Sequence, residues 1–250
     1  MRKKIVAGNW KMNLNANEAK ELFSNLLDRM PECGPNQKIL IFPPNIYLSE
    51  FIEQNNGNIE IGAQNLHDKN NGAFTGEVSA SQLRSIGCTW VLVGHSERRI
   101  LFREENEVLV SKISAALKVG LKVIYCCGES LEERKSQQHF AKIQSQIQFL
   151  GDFSAKEMES IAVAYEPIWA IGTGVTASAH QAGEMHDLIR AELTRLFGAA
   201  VSESISLLYG GSCSPKNASE LFCCKNIDGG LIGGASLDAE SFHSIVMAEK

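Results

Sequence analysis

The chain of 250 residues has no long apolar run. No stretch approaches the ~18 consecutive apolar residues that a membrane-spanning helix needs. The basic N-terminal segment contains only a very short apolar run before Asn9, which is too short for the core of a secretory signal. We therefore expect a protein without a membrane partner, and we expect it to be cytoplasmic.

Positive charge is also scarce. The 24 Lys and Arg residues are outnumbered by 29 Asp and Glu residues, which gives a formal net charge of −5. A nucleic-acid-binding protein would carry a basic stripe, so we expect no nucleic-acid partner. A small anion would have to be attracted by local positive charge, because the field of the whole protein does not favour it.

The cysteines lack the spacings of metal sites and redox motifs. The chain has seven cysteines without a Cys-x-x-Cys motif, and no histidine lies at zinc-ligand spacing from a cysteine pair. Disulfide frameworks belong to small secreted domains, so reduced thiols are expected in a chain of this length. The sequence therefore predicts no metal site, and nothing in it calls for a cofactor.

What the sequence does contain is an alternation of short apolar runs with longer segments of helical period. The runs indicate strands that are covered on both faces; they occupy residues 4–7, 38–42, 59–63, 90–93, 122–126, 161–164, 205–208 and 229–232. Strands that alternate with helices lie parallel and are joined by right-handed crossovers. The pattern favours an α/β fold, a single-domain (β/α)8 barrel over residues 1–250, and leaves an open doubly wound sheet as the alternative.

The first and fourth helices between these runs carry boundary signals. Asn15 followed by Glu18 predicts a capping box at the start of the first helix. Gly120 predicts the end of the helix that contains Leu109 and Ile113.

Reactive side chains follow several of the predicted strands. Lys11 follows the first strand, His95 the fourth and Glu166 the sixth, and glycine-rich turns follow the last three strands. The carboxyl ends of barrel strands form the active-site face, so we expect these groups to meet there. Taken singly, each has an ordinary alternative as a solvated lysine, a packed histidine or a salt-bridged glutamate. The remaining histidines are expected at the surface; they are His67, His139, His180, His186 and His243.

Six short segments resemble the signature segments of the triosephosphate isomerase family, in that family's order and spacing. They are GNWKMN (8–13), AFTGE (73–77), VGHSERR (93–99), AYEPIWAIGTG (164–174), YGGS (209–212) and GGAS (233–236). The resemblance runs over essentially the whole chain and implies a TIM barrel. It also implies an aldose–ketose isomerase, an intramolecular oxidoreductase of glycolysis and gluconeogenesis. Such an enzyme interconverts D-glyceraldehyde 3-phosphate and dihydroxyacetone phosphate through an enediol(ate), without a cofactor.

The resemblance implies a catalytic role for three residues. Glu166 is expected to be the base that moves the proton, and Pro167 would fix the chain behind it. His95 would donate a hydrogen bond to a substrate oxygen as a neutral ring, since a helix start disfavours the imidazolium; this pairing with a glutamate is itself known from triosephosphate isomerase. Lys11 would stabilise negative charge on oxygen.

The resemblance further implies a set of binding positions for a triose phosphate. Substrate contacts are expected from Asn9 and Lys11, and phosphate contacts from Gly172, Ser212, Gly233 and Gly234. Backbone N–H groups in such turns bind anions well. Any one glycine alone could instead serve only a tight turn.

Supporting roles are implied for Ser96, Glu97, Cys126 and Tyr209. Glu97 is expected to hold Lys11 by an ion pair. Tyr209 resembles the residue whose hydroxyl latches a closed lid onto the backbone, here that of Ala177. The lid itself is expected over residues 167–175, and its closure would exclude water from the site.

The loop of residues 65–77 resembles the loop that inserts into a second subunit. It implies a homodimer in which Thr75 reaches the catalytic residues of the other copy. The sequence departs from the family pattern at Gly230, Cys213 and Val175. Gly230 is expected to loosen interior packing, whereas Cys213 and Val175 bear on oxidant sensitivity and lid motion.

Two other functions are kept beside the isomerase. One is a different phosphosugar barrel enzyme, such as an epimerase, which would often need a metal or a second acid. The other is a binding protein that retains the fold without catalysis. The set of Lys11, His95 and Glu166 argues against the second alternative.

Overall fold

Parallel strands pair in chain order until the last strand returns to the first. The computed structural model describes residues 2–172 and 176–248. The strands are β1 Lys4–Asn9, β2 Gln37–Phe42, β3 Glu60–Ala63, β4 Trp90–Val93, β5 Lys122–Glu129, β6 Ile161–Pro167, β7 Leu207–Tyr209 and β8 Gly229–Ile232. They form a closed barrel in which β8 also pairs with β1. The predicted (β/α)8 TIM barrel is confirmed, and the open sheet is excluded.

Helices cover the outside of this barrel. They are α1 Ala16–Arg29, α2 Leu48–Gln54, α3 Ala80–Ser85, α4 Ser96–Leu101, α5 Asn106–Lys118, α6 Leu131–Lys135, α7 His139–Gln148, α8 Ala155–Met158, α9 Ala179–Phe197, α10 Ala199–Ser202, α11 Ala218–Phe222 and α12 Ala239–Ala248. The predicted capping box is confirmed, because Asn15 and Glu18 each accept the other's backbone N–H. Gly120, with a φ of 79°, follows the end of α5 as expected. Within the described residues, every helix is too short or too polar to cross a membrane.

Side chains alternate between two apolar layers along each strand. The barrel interior is filled by Ile5, Ala7, Leu40, Phe42, Trp90, Leu92, Ile124, Cys126, Ala162, Ala164, Leu208 and Leu231. Intervening residues such as Val6 and Val163 pack against the helices instead. Because successive side chains of a strand point to opposite faces, Asn9 and Glu166 belong to the interior face at the carboxyl end. The fold thus directs two polar groups into the barrel mouth.

Several strands differ in length from the sequence pattern. β1, β5 and β6 continue to Asn9, Glu129 and Pro167, because their backbones still pair where the apolar run has ended. β7 begins later than predicted, since the N–H of Ile205 still bonds to Ser202 at the end of α10. The pattern of side chains therefore missed the polar ends of the strands, which are the ends that reach the site.

Two of the five histidines expected at the surface are buried. His186 lies on the inner face of α9, where its ring meets that of Tyr165 edge-on at 5.6 Å. Burial lowers its pKa. His139 is buried at the start of α7. The expectation was wrong for both, because a helix of a barrel covers the strands with one face whatever residue stands there.

Gly230 does not loosen the packing of the barrel interior. A β-carbon at this position would lie 2.7 Å from Cδ1 of Ile232 and 3.4 Å from the ring of Phe222. Both neighbours belong to the layer between strands and helices, so Gly230 faces outward. The space that a larger side chain would take is already filled by these two residues.

We expect the interior layer to dominate the stability of the barrel. Ile124→Ala should lower the free energy of unfolding by about 2–5 kcal/mol, because it removes buried apolar atoms and leaves a cavity that the surrounding structure fills only in part. Urea unfolding at fixed protein concentration measures the change. The exposed Ile100 gives the control, and Ile100→Ala should change stability by less than about 0.5 kcal/mol. Equal effects of the two substitutions would contradict the two-layer description.

Candidate active site

A cavity of ≈ 420 Å³ opens at the carboxyl end of the barrel. It is lined by Asn9, Lys11, Asn13, His95, Glu166, Ile171, Gly172, Gly210, Gly211, Ser212, Cys213, Leu231, Gly233, Gly234, Ala235 and Leu237. All the residues predicted for catalysis and for substrate binding are among them. The volume suits a small polar molecule.

The Glu166 carboxylate is almost completely buried, with 1% of its surface exposed. Its Oε2 accepts a hydrogen bond of 2.8 Å from the backbone N–H of Ser96, the first residue of α4. Its Oε1 lies 3.0 Å from Nε2 of His95, but the alignment is too poor for a directed hydrogen bond. One carboxylate oxygen is therefore anchored, and the other is the freer one.

His95 precedes α4, and its ring is held by a hydrogen bond at Nδ1. The N–H of Glu97 donates to Nδ1 at 3.3 Å. Because Nδ1 accepts, the proton of a neutral ring belongs on Nε2, the nitrogen that faces Glu166. The ring thus offers one N–H donor to the cavity.

The two buried groups shift each other's pKa in opposite directions. Burial by itself raises the pKa of Glu166, but the charge of His95 and the contacts with His95 and Ser96 hold it below its ordinary value. Burial, the largest single effect, lowers the pKa of His95, but Glu166 and Glu97 together raise it above its ordinary value. Glu166 is therefore ionised near neutral pH, which is the form that a base requires.

Lys11 occupies a strained backbone position beside the cavity. Its φ of 53° lies in the left-handed region, which residues with a side chain rarely adopt. The position is held by Asn9, whose Oδ1 accepts the N–H of Lys11 at 3.0 Å, and by Gln64, whose Nε2 donates to its carbonyl at 2.8 Å. Nζ forms the predicted ion pair with Glu97, at 2.6 Å. Sequence patterns gave no signal for Gln64, because its contact with Lys11 spans 53 residues.

Backbone amides form the opposite wall of the cavity. The N–H groups of Ser212, Gly233 and Gly234 donate to no acceptor among the described residues. The Lys11 side chain passes close to them, since a β-carbon on Gly233 would lie 3.7 Å from its Cε. Free N–H groups beside an ammonium make a site for a small anion.

A buried carboxylate anchors the segment that follows β6. Oε1 of Glu129, the last residue of β5, accepts from the Tyr165 hydroxyl and from Nε1 of Trp169, both at 2.9 Å. Arg134 pairs with the same oxygen at 3.0 Å and also lies against the Trp169 ring. This anchor was not predicted from the sequence, because Glu129 meets Tyr165 and Trp169 only through the pairing of β5 with β6.

The predicted lid is described in part. Residues 168–170 form a short 3-10 turn, and Gly172 has a φ of 68°. Val175 lies outside the described residues. The Tyr209 hydroxyl is buried, which raises its pKa, while the backbone amide of Ala177 acts to lower it.

The two cysteines near the cavity differ in exposure to it. Cys126 is fully buried in the barrel interior, and burial together with the nearby Glu166 raises the pKa of its thiol. Cys213 lines the cavity, and burial raises its pKa to about 12. Both thiols are therefore protonated near neutral pH and are poor nucleophiles. In the part of the chain that the structure describes, no group of three metal-ligating side chains is arranged to hold an ion.

A second cavity of ≈ 570 Å³ lies on the other side of Lys11 and His95. It is lined in part by Met12, Leu101 and Phe102, whose side chains are exposed by 95%, 72% and 64%. Thr75 lies in residues 69–77, the exposed part of the loop of residues 65–77, and lines neither cavity. An exposed apolar surface therefore adjoins Lys11 and His95.

The chain matches one protein family along nearly its whole length. The family model described as triosephosphate isomerase matches residues 4–249. The triosephosphate isomerase of Flavobacterium psychrophilum is 47% identical over 250 residues, which cover 98% of this chain and 99% of that protein. Those of Flavobacterium johnsoniae and Cytophaga hutchinsonii are both 46% identical, over 99% and 98% of this chain and 100% and 98% of their own lengths.

The coupling between Glu166 and His95 can be measured directly. Glu166→Gln removes the charge that raises the pKa of His95 and leaves the ring buried, so the pKa should fall. The midpoint of His95 protonation should accordingly move to lower pH, as followed by NMR of its ring. Glu107→Gln removes the same charge from the surface of α5 and should leave the midpoint unchanged. A midpoint that stays in place in Glu166→Gln would contradict the coupling.

Proposed function

Because the chain belongs to the triosephosphate isomerase family, we propose that Glu166, His95 and Lys11 catalyse the family's reaction in the 420 Å³ cavity. The protein is an aldose–ketose isomerase that interconverts D-glyceraldehyde 3-phosphate and dihydroxyacetone phosphate, a reaction of glycolysis and gluconeogenesis. The observation that carries the residue assignment is the meeting of a carboxylate, an imidazole and an ammonium beside free backbone amides.

Glu166 acts as the base. It removes a proton from the carbon next to the substrate carbonyl, and the same carboxyl group returns the proton to the former carbonyl carbon. In the enediol(ate) between these steps, the hydroxyl proton passes from one substrate oxygen to the other, so that the carbonyl and hydroxyl groups exchange places. Its lowered pKa keeps it ionised in the free enzyme. The freer oxygen, Oε1, has only the loose contact with His95, so the substrate has to replace only that contact to reach it. No electrons leave the substrate, because the proton transfers oxidise one carbon and reduce its neighbour.

His95 and Lys11 stabilise the enediol(ate). The charge that leaves the C–H bond develops on the substrate oxygens, where Nε2–H of His95 can donate a hydrogen bond. Lys11 adds a fixed positive charge, and Asn9 adds a polar contact beside it. Donors aimed at developing charge lower the barrier because they need no rearrangement during the reaction.

Backbone amides hold the phosphate group. Ser212, Gly233 and Gly234 supply free N–H donors, and Gly172 would add one from the lid. The net charge of −5 does not attract an anionic substrate from a distance. The attraction of the phosphate group therefore has to come from nearby positive charge, that of the Lys11 ammonium. Closure of a lid formed by residues 167–175 would keep water from the enediol(ate). Tyr209 would act as the latch of this lid. Supporting roles are proposed for Ser96, Glu97 and Cys126.

Neither of the alternative functions finds support of this kind. The relatives are named for the isomerase along their whole lengths, and none of those cited above is named as an epimerase or as a binding protein. The catalytic set is also complete in the cavity, which a pure binding protein would not require. We further propose that residues 1–250 act as one catalytic domain, located in the cytoplasm.

We propose a homodimer in which the loop of residues 65–77 fills the 570 Å³ cavity of a second copy. This cavity lies against Lys11 and His95 and is open in the single chain, and its apolar wall is exposed. Large exposed apolar patches mark sites of association. Thr75, near the tip of the loop, would then approach the Lys11 region of the other copy.

The assignment of the base is tested by Glu166→Asp, which withdraws the carboxylate by one methylene. Turnover of D-glyceraldehyde 3-phosphate, measured by a coupled assay, should fall by about 100-fold or more, because proton transfer depends on placement within about an ångström. Glu107→Asp, an equivalent change on the surface, should leave the rate unchanged. An unaffected rate in Glu166→Asp would remove the residue from this role.

The same assay separates the alternative functions. Turnover that a chelator abolishes would favour a metal enzyme, and the absence of any turnover would favour a binding protein.

The dimer is tested by Leu101→Asp, which introduces a charge into the exposed apolar wall. The variant should sediment as a monomer at concentrations where the wild type is a dimer, and its activity should fall with dissociation. Leu131→Asp makes the same change at an exposed leucine of α6, outside this wall, and should remain a dimer. A monomeric wild type, or a dimeric and fully active Leu101→Asp variant, would argue against the proposed interface.

A further inference from the structure

The segment of residues 210–214 connects β7 to the turn before α11 and forms part of the wall of the active-site cavity. Gly211, Ser212 and Cys213 line that cavity. The segment has no regular secondary structure, and its start is held by a backbone bond of 2.7 Å from Gly210 to Tyr165. Something beyond strand pairing must therefore hold Ser212, whose free N–H faces the phosphate site in the proposed function.

The Asn217 side chain spans this segment with three hydrogen bonds. Its Oδ1 accepts from the backbone N–H of Ser214 at 2.8 Å and from the Ser214 hydroxyl at 3.2 Å. Its Nδ2 donates to the carbonyl of Ser212 at 3.2 Å. The oxygen of the Asn217 amide thus binds Ser214 and its nitrogen binds Ser212, the two ends of a three-residue span.

Asn217 stands at the position where an asparagine usually caps the helix that follows it. Its side chain makes no capping bond to α11, however. The backbone N–H groups of Asn217 and Ala218 instead turn back to the carbonyl of Ser214. The side chain is directed away from its own helix and toward the cavity wall.

We propose that Asn217 is a positioning residue that holds Ser212 so that its backbone N–H grips the substrate phosphate. The carbonyl of Ser212 belongs to the planar peptide unit that it shares with Cys213, so its hydrogen bond to Asn217 restricts the ψ angle of Ser212 and holds the chain directly beside the Ser212 N–H. Because this part of the cavity wall is already ordered in the free protein, binding does not carry the entropic cost of ordering it. The inference rests on the proposed function, because it assigns Asn217 to the phosphate end of that site.

Two substitutions separate the halves of the amide. Asn217→Ala removes all three hydrogen bonds. Asn217→Asp keeps the shape and both acceptor contacts, but it loses the N–H donor and sets a negative charge beside the Ser212 carbonyl. Lys216→Gln is the matched control, because it makes the same change in charge at the exposed neighbouring residue, for which the structure gives no hydrogen bond.

The test compares substrates with and without the phosphate group. For both Asn217 variants, the inhibition constant of inorganic phosphate and the KM for D-glyceraldehyde 3-phosphate should each rise about tenfold. The kcat/KM for phosphate-free D-glyceraldehyde should stay within about twofold of the wild type, since the proton-transfer residues are untouched. Lys216→Gln should match the wild type in all three measurements.

Two results would overturn the proposal. One is an equal loss of kcat/KM for the substrates with and without phosphate, which would mean that Asn217 merely supports the fold. The other is an unchanged inhibition constant for inorganic phosphate. If Asn217→Ala does not fold, the isosteric Asn217→Asp decides between these outcomes. Failure of this inference can be distinguished from failure of the proposed function. A wild type that converts no triose phosphate would end both, whereas an active wild type with either of the two results above would end this inference alone.

Discussion

Closure of the sheet between β1 and β8 is the constraint on which the site depends. In a closed parallel barrel the carboxyl ends of all strands meet at one rim. The two-residue period of a strand then decides which side chains enter the interior, and it brings Asn9 and Glu166 inward above layers of apolar side chains. The cavity is polar only at this rim, because the interior below is filled.

The buried charge of Glu166 is stabilised by the groups that surround its two oxygens. An isolated carboxylate in such a place would take up a proton. Here the start of α4 supplies an N–H to one oxygen, and His95 stands beside the other. The same arrangement fixes the ring of His95 through Glu97, which also pairs with Lys11. Glu166, His95 and Lys11 are therefore linked through the start of α4 and the strands beside it.

The parts of the fold that depend on local chemistry could be predicted. Asn15 and Glu18 are three residues apart, so their capping box follows from the sequence. Apolar runs located the strands but missed their polar ends, since backbone pairing continues where the pattern stops. His186 and His139 were misjudged because their burial depends on which face of a helix meets the barrel. Gln64 was missed because its contact with Lys11 spans 53 residues, and the anchoring role of Glu129 was missed because Tyr165 and Trp169 lie 36 and 40 residues away from it.

The order of strands and helices, and the types of the reactive residues, were determined by the sequence alone. Period and composition indicated parallel strands joined by helices but left open whether the sheet closes, and the signature segments indicated the family and its barrel. The tertiary structure decided which oxygen of Glu166 is free, how Lys11 is held in a strained backbone and which carboxylate anchors Trp169. These features depend on contacts between residues far apart in the chain. Such distances and angles are set by how the whole barrel closes, and no local pattern of residues records them.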